Sequence, residues 1–440
     1  MSETFRTEDQ IALIGGGPGG LAGARALQRQ GLPFQGFEGH DDLGGLWNLA
    51  NPRARTYASL RMLTSKQATA FADLPMPADG PDYPGQADAL RYLQDYADSF
   101  DLRRHFRFGT LVRRVEPVSE KPDSLWRVTA DDGRGSVVAD YKGVVIANGI
   151  HAEPHVPRFA GRFDGELMHA AAYRDADHLA GRRVLIVGGG NSACDLAVDA
   201  AATASAVTLS VRRGAYLCPR FLGGRPADLA APWWQRLPRP LRLRAAARQL
   251  RRTAGQLEQY GFPPPTHAFD ELPPLINDEL LPLLARGAIE VRGETVRMDG
   301  DTVHFADGRQ GRFDLVIAAT GYKLHYPFLR AELLNWHGPA PRLYLNIFAP
   351  HYQRLAVIGM FEGQGLGWRD RQSQAELVAA YLAAQALQPG RAAAFAALAR
   401  GPLPDLRGGG RAPRLDRLAH AVDAWTYRRA LQRAAGVLMA

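Results

Sequence analysis

The sequence predicts an α/β chain containing two strand–loop–helix nucleotide-binding units. Three observations carry that prediction. Short apolar runs stand at Ile11–Ile14, Val144–Ala147, Val184–Val187 and Leu315–Ala319, each closed by glycine at the next position or the one after. Such runs read as strands buried on both faces, as in a parallel sheet covered by helices. Two of them lead into glycine loops and then into helix-compatible sequence, over Leu21–Arg29 and Asp195–Ala202. The length of 440 residues is enough for two or three packed domains.

The first loop, Gly15-Gly-Gly17-Pro18-Gly19-Gly20, satisfies the GxGxxG pattern. Its first glycine allows a tight turn, its second lets backbone approach a pyrophosphate, and its third lets helix and sheet pack closely. The helix N-terminus that follows offers N–H groups to phosphate. A second apolar run, Phe34–Phe37, ends at Glu38, where an acid can hydrogen-bond ribose hydroxyls. Gly44-Gly45-Leu46-Trp47 follows, a diglycine suited to another part of the same ligand.

The second loop runs Gly188-Gly-Gly190-Asn191-Ser192-Ala193, with Asp195 just inside its helix. Alanine at the third position sets the helix slightly off the sheet. The next run, Val207–Val211, ends in Arg212-Arg213 instead of an acid. Guanidinium pairs with a 2′-phosphate that a carboxylate would repel, so this unit is expected to prefer NADPH over NADH. The first unit, with Glu38, suits the unphosphorylated ribose of FAD. The fold class is therefore two Rossmann-like dinucleotide-binding domains, one for FAD and one for NADPH.

The remaining residues narrow the chemistry. Cys194 and Cys218 are the only cysteines, which excludes a disulfide scaffold and a Cys-x-x-Cys redox pair. Cys194 reads as helix packing. No His or carboxylate spacing resembles a metal site. The start of the chain lacks a basic-then-apolar leader and no run reaches 18 apolar residues, so the expected address is cytoplasmic. Net charge is +8, but residues 212–252 hold 11 arginines against one acid, Asp228, leaving the rest near neutral. That argues against nucleic acid as a partner. Trp233-Trp234 lie within this Arg-rich stretch, which is expected to be a solvated insert over about 217–265. Pro238 and Pro240 argue against one long amphipathic helix there, and peripheral membrane contact is the less favoured reading. Elsewhere, Ala87–Phe100 predicts an amphipathic helix and Arg414–Ala435 a closing helix.

Phe163-x-Gly165-x-x-x-His169-x-x-x-Tyr173 resembles the fingerprint of class B flavin-dependent monooxygenases, in the form of the flavin-containing monooxygenase branch. Gly44–Trp47, Gly190–Ala193 and Asp314 with Ala319-Thr320-Gly321-Tyr322 are similar to further family motifs. Ser59-Leu60…Ser65-Lys66 with Phe71-x-Asp73 resembles its active-site strip. The resemblance runs from about residue 10 to about residue 385. It implies an NADPH domain inserted into an FAD domain: residues 1–155 and 314–440 for FAD, 156–313 for NADPH. It adds Met62, Thr64, Thr320, Gly321 and Tyr322 to the cofactor-contacting set and nominates Leu63, Ser65 and His169 near the chemistry, His169 more as an orienting group than a base. It also implies oxygenation of a small molecule's amine nitrogen or sulfur by O2 through a flavin C4a-hydroperoxide. Ketone (Baeyer–Villiger) oxygenation and an NADPH oxidase or flavin reductase releasing peroxide are the alternatives. Leu63 stands where the family commonly has asparagine, and leucine makes no hydrogen bond. Asn148 stands where threonine is common.

Overall fold

The computed structural model describes residues 6–230, 239–253, 257–267, 269, 271–410 and 415–439. Trp233, Trp234 and Pro238 lie outside them. Two five-stranded parallel sheets organise the chain. The first orders its strands Leu355–Val357, Gly143–Ile146, Ile11–Ile14, Phe34–Phe37 and Phe106–Arg107. The second orders Glu166–His169, Leu315–Ala318, Arg183–Val187, Ala206–Ser210 and Glu290–Arg292. The four apolar runs are central strands whose residues are buried almost without exception, which explains why they lack alternation.

Helices Pro18–Arg29 and Trp368–Leu387 pack together on the first sheet. Their contact draws in Gln86–Ser99, and Phe71, Tyr92, Tyr96 and Trp368 form an aromatic cluster with ring centroids 4.3 to 6.4 Å apart. The last helix starts at Ala424 and not at Arg414. Ahead of it the chain makes a short 3-10 turn, Asp416–Leu418, and a bridge from Ala421 to Glu362. In the Arg-rich stretch, expected to be a helical insert, Arg239–Thr253 is a helix. Pro240 falls in its first turn, where a missing N–H breaks no helical bond.

The two crossings between the sheets lie side by side. Glu153–Pro154 leaves the first unit and pairs antiparallel with Tyr322–Lys323, which returns to it. The strand Leu315–Ala318 still belongs to the second sheet, between Glu166–His169 and Arg183–Val187. Past the expected boundary at 313/314 the chain thus adds Leu315–Ala318 to the second sheet before the return pairing at Tyr322–Lys323.

Candidate functional site

The first glycine loop is closed at Gly15 and Gly20 by backbone that leaves no room for a side chain. Gly15 sits at φ +109°, and a Cβ there would lie 2.6 Å from the Ala147 carbonyl oxygen. A Cβ at Gly20 would overlap the Gly15 carbonyl oxygen outright. Gly17 caps the helix and Pro18 opens it, where the absent N–H and fixed φ suit the first turn. Glu38 is 8% exposed. Its Oε2 accepts from Gly16 N–H at 2.7 Å and its Oε1 from His40 N–H at 2.9 Å. Burial raises its pKa, and the two amides oppose that shift. Each carboxylate oxygen keeps a second lone pair for a ribose hydroxyl.

Gly44 (φ +112°) and Gly45 (φ +55°) lie directly against this loop. Gly44 N–H donates to Gly16 O at 3.0 Å, and a Cβ on Gly45 would come within 2.9 Å of Gly17 Cα. Both elements thus frame one cradle. Trp47 meets Trp368 edge-on at 5.6 Å, while the Leu46 carbonyl accepts from Thr56 Oγ1 at 2.7 Å.

From Thr56 the chain becomes the strip that touches the second unit. Tyr57 O–H donates to Asp195 Oδ2 at 2.9 Å, and Ser59 Oγ to Asp199. Met62 is buried, whereas Leu63 is 36% exposed and presents only carbon. Thr64 and Thr69 hydroxyls lie 2.6 Å apart. Ser65 receives a different task from the one nominated: fully buried, its Oγ accepts from Ala68 N–H as a helix cap and its own N–H donates to Asp228 Oδ2 at 2.6 Å. Lys66 is a buried cation whose Nζ donates to the carbonyls of Pro77, Ala78 and Gly80. Asp73 accepts from Arg25 and Tyr96. These last residues hold the strip's shape.

The second loop is more open. A Cβ on Gly188 would overlap the Ala319 carbonyl, yet nothing lies within 4 Å of one on Gly190. Gly190 caps the helix Asn191–Thr203, and Ser192 is exposed at its start. Free N–H groups at that end can hold phosphate. Ala193 is fully buried. Arg212 and Arg213 are exposed at the end of the neighbouring strand, Arg212 paired with Glu294 at 3.3 Å.

The side chains of Asn191 and Asp195, both expected among the cofactor contacts, are engaged within the protein. Asn191 Oδ1 accepts from Ile276 N–H at 2.7 Å and its Nδ2 donates to Pro274 O at 3.3 Å. Asp195 accepts from Tyr57 and, at 2.8 Å, from Asn277 Nδ2. Burial pushes its pKa up to about 6, against those hydrogen bonds.

The fingerprint residues secure the crossings. Tyr173 is buried, and its hydroxyl donates to Asp199 at 2.8 Å. His169 Nδ1 accepts from Ala171 N–H at 3.0 Å, which puts the ring proton on Nε2, facing Gly321 O at 3.1 Å. Burial lowers its pKa and the Gly321 bond opposes this. With both nitrogens spent on backbone, His169 fastens the return turn and is not placed as a general base. Thr320 Oγ1 donates to His155 O, and Tyr322 is flanked by His151 and His169 at 5.1 and 5.3 Å.

The cradles fit FAD at the first loop and NADPH at the second: each leaves backbone bare where a Cβ would intrude, beside an acid in one case and two arginines in the other. Sequence reasoning missed Asp228, Asn277 and Tyr57 as site-building residues. Their contacts span 82 to 163 positions and leave no local signal. Among the described residues no helix is long and apolar enough to cross a membrane, and no group of three or more His, Cys, Asp or Glu is placed to hold a metal ion.

Comparison with known proteins agrees with this geometry. The family model described as flavin-binding monooxygenase-like matches residues 8–392. Flavin-containing monooxygenase 5 of Homo sapiens is 33% identical over 381 residues, 82% of this chain and 70% of that relative. Dimethylaniline monooxygenase [N-oxide-forming] 2 of Rattus norvegicus is 32% identical over 378 residues, 81% of this chain and 70% of its own length. Among solved structures, NADP+-bound cyclohexanone monooxygenase from Rhodococcus sp. Phi1 superposes with a TM-score of 0.71 at 20% identity, over 99% of this chain and 98% of that one.

Proposed function

Because the chain belongs to the flavin-binding monooxygenase-like family, and is with it an FAD-dependent monooxygenase that uses NADPH, we propose that it oxygenates a soft nucleophile, an amine nitrogen or a sulfur, on a small molecule. One observation carries this reading. The strip from Thr56 to Ser65 is shared by both cradles: Thr56 is bonded to Leu46 of the first, and Tyr57 to Asp195 on the helix of the second. A hydride donor and a flavin held on either side of one strip have a short common path.

FAD, when bound, supplies hydride acceptance from NADPH and activation of dioxygen; the chain supplies position and dryness. Glu38 and the bare glycine backbone hold the adenosine diphosphate half of FAD. Arg212 and Arg213 hold the NADPH phosphate. His169 and Thr320 hold the crossing and Tyr173 braces the helix Asn191–Thr203, an arrangement that would keep the two cradles in register with both cofactors bound. No side chain in this arrangement needs to abstract a proton from substrate. That suits a nitrogen or sulfur lone pair better than a bond requiring base catalysis. Nitrogen is also the atom named for the rat relative, which forms N-oxides.

The test is aerobic turnover with NADPH and dimethylaniline or thioanisole, with products identified by mass spectrometry. An N-oxide or sulfoxide is expected. Peroxide equal to the NADPH consumed, with no oxygenated product, would replace this reading with that of an oxidase. The apolar, 36% exposed Leu63 is the observation that favours the oxidase reading, since it offers no hydrogen bond at the strip.

A further inference from the structure

The C-terminal segment after residue 414 lies beyond the family match, which ends at 392. It nevertheless folds back onto the crossings. Val422 N–H donates to Glu362 O at 2.9 Å, and Ala421 bridges Glu362. Arg407 ties the segment down through the carbonyls of Ala419 and Ala421, and Asn346 through that of His420. This anchoring puts two side chains where the known motifs end.

Arg417 lies on the return turn. A Cβ at Gly321 would be 3.3 Å from Arg417 Cδ and 3.5 Å from its Nε. Arg417 is exposed and makes no hydrogen bond or ion pair among the described residues. His420 is 5% exposed, and neither ring nitrogen has a hydrogen-bond partner. Its Nε2 is 3.9 Å from Glu362 Oε2, too far for a hydrogen bond. A buried imidazole with both nitrogens unmatched is costly unless something polar arrives.

His151 is exposed, and its pKa is lowered by partial desolvation and then by Arg371, His420 and Arg417. Arg371 is already engaged, donating to Gly367 O at 3.1 Å and lying over the Phe361 ring. Burial raises the pKa of Glu362 against the pull of Arg417, while Asp370 is paired with Arg428 and Asp423 with Thr426. Among the described residues here, the Arg417 guanidinium is the cation without a hydrogen bond or ion pair, and His420 stands beside it as a hydrogen-bonding group.

We propose that residues 415–423 build an anion subsite between the Gly321 turn and Glu362, in which Arg417 pairs the carboxylate of a substrate that carries the nucleophilic nitrogen or sulfur elsewhere. This rests on the oxygenase reading for the word substrate only; the subsite itself is a binding property. A cationic wall also favours the neutral form of an amine, the form whose lone pair is available for oxygenation.

The experiment titrates FAD-loaded, NADP+-saturated enzyme calorimetrically with methylthioacetic acid and with its methyl ester. Charge-assisted pairing predicts that the acid binds about ten- to a hundredfold more tightly than the ester. Arg417→Gln removes that preference while the ester affinity and the KM for NADPH stay within about twofold; Arg417→Lys keeps part of it. Equal binding of acid and ester by the unaltered enzyme overturns the proposal. So does an Arg417→Gln variant that keeps the preference but has a raised KM for NADPH, since Arg417 would then serve the nucleotide phosphate. The titration reads binding, so peroxide release without oxygenation counts against the proposed function alone.

Discussion

The two glycine loops start from one strand–turn–helix plan and diverge at three points. The third position is glycine in the first loop and alanine in the second. Gly20 has the Gly15 carbonyl where a methyl group would go, whereas Ala193 fits, its methyl 3.3 Å from the Cβ position of Gly188. The acid Glu38 is buried and bonded to two amides of its own cradle; the arginines Arg212 and Arg213 stand exposed. The capping position of the first loop is backed by Gly45 at 3.6 Å, that of the second by nothing within 4 Å. A closed cradle suits a cofactor that stays through many turnovers, and an open one suits a cofactor that must leave after each.

The largest effect should come from breaking the closed cradle. Gly20→Ala drives a methyl group into backbone that cannot swing away, and overpacking of that kind costs about 1–3 kcal/mol or more. Loss of bound FAD is expected, visible as colourless purified protein with a lowered melting temperature. A yellow, normally stable variant would show that the first helix can back away from its sheet as the second does.

Next in size is Asp195, which sits between the cradles. Its pKa of about 6 in the folded chain lies above the ordinary 3.8, so the unfolded chain loses this proton first as pH rises. Stability is therefore given up between about pH 4 and pH 7. The shift of roughly two units amounts to about 3 kcal/mol. Asp195→Asn should flatten that part of the profile. The check is the urea-unfolding difference between the variant and the parent at pH 4 and at pH 7, expected to favour the variant more at pH 7. An equal difference at both would mean that the carboxylate is compensated in place by Tyr57 and Asn277.

The open cradle answers to charge. Arg212→Gln with Arg213→Gln should raise the KM for NADPH about ten- to a hundredfold and leave that for NADH unchanged, because charge-assisted bonds to phosphate contribute about 1.5–3 kcal/mol each. A parallel rise for both nucleotides would show that the arginines shape the strand end and do not read the phosphate.

Local pattern carried most of the fold. The apolar runs and both loops could be read because a strand buried on two faces and a phosphate-binding turn each leave a contiguous signature. Glu38 was readable for the same reason. The tasks of Ser65, Asn191 and Asp195 were not, because each is decided by a partner far along the chain: Asp228 for Ser65, Ile276 for Asn191, Tyr57 and Asn277 for Asp195. The sequence pattern starts the closing helix ten residues ahead of Ala424. Its apolar spacing continues backward through residues that the structure uses instead to bridge Glu362.

The smallest predicted effect tests the comparison most directly, because it reverses the first substitution. Ala193→Gly removes a methyl group from a fully buried site near a helix start. The loss of one buried methyl and the added backbone freedom together cost about 1–2 kcal/mol. The nucleotide N–H groups lie on the other side of the turn, at Gly190 and beyond, so the KM for NADPH should move by no more than about twofold. The same position then has opposite signs in the two loops: a methyl added at Gly20 costs the cofactor, and a methyl removed at Ala193 costs only packing. A variant that binds NADPH tenfold more tightly would contradict this, since it would mean that Ala193 holds the second helix off its ligand and that the openness of the cradle is set by one methyl group.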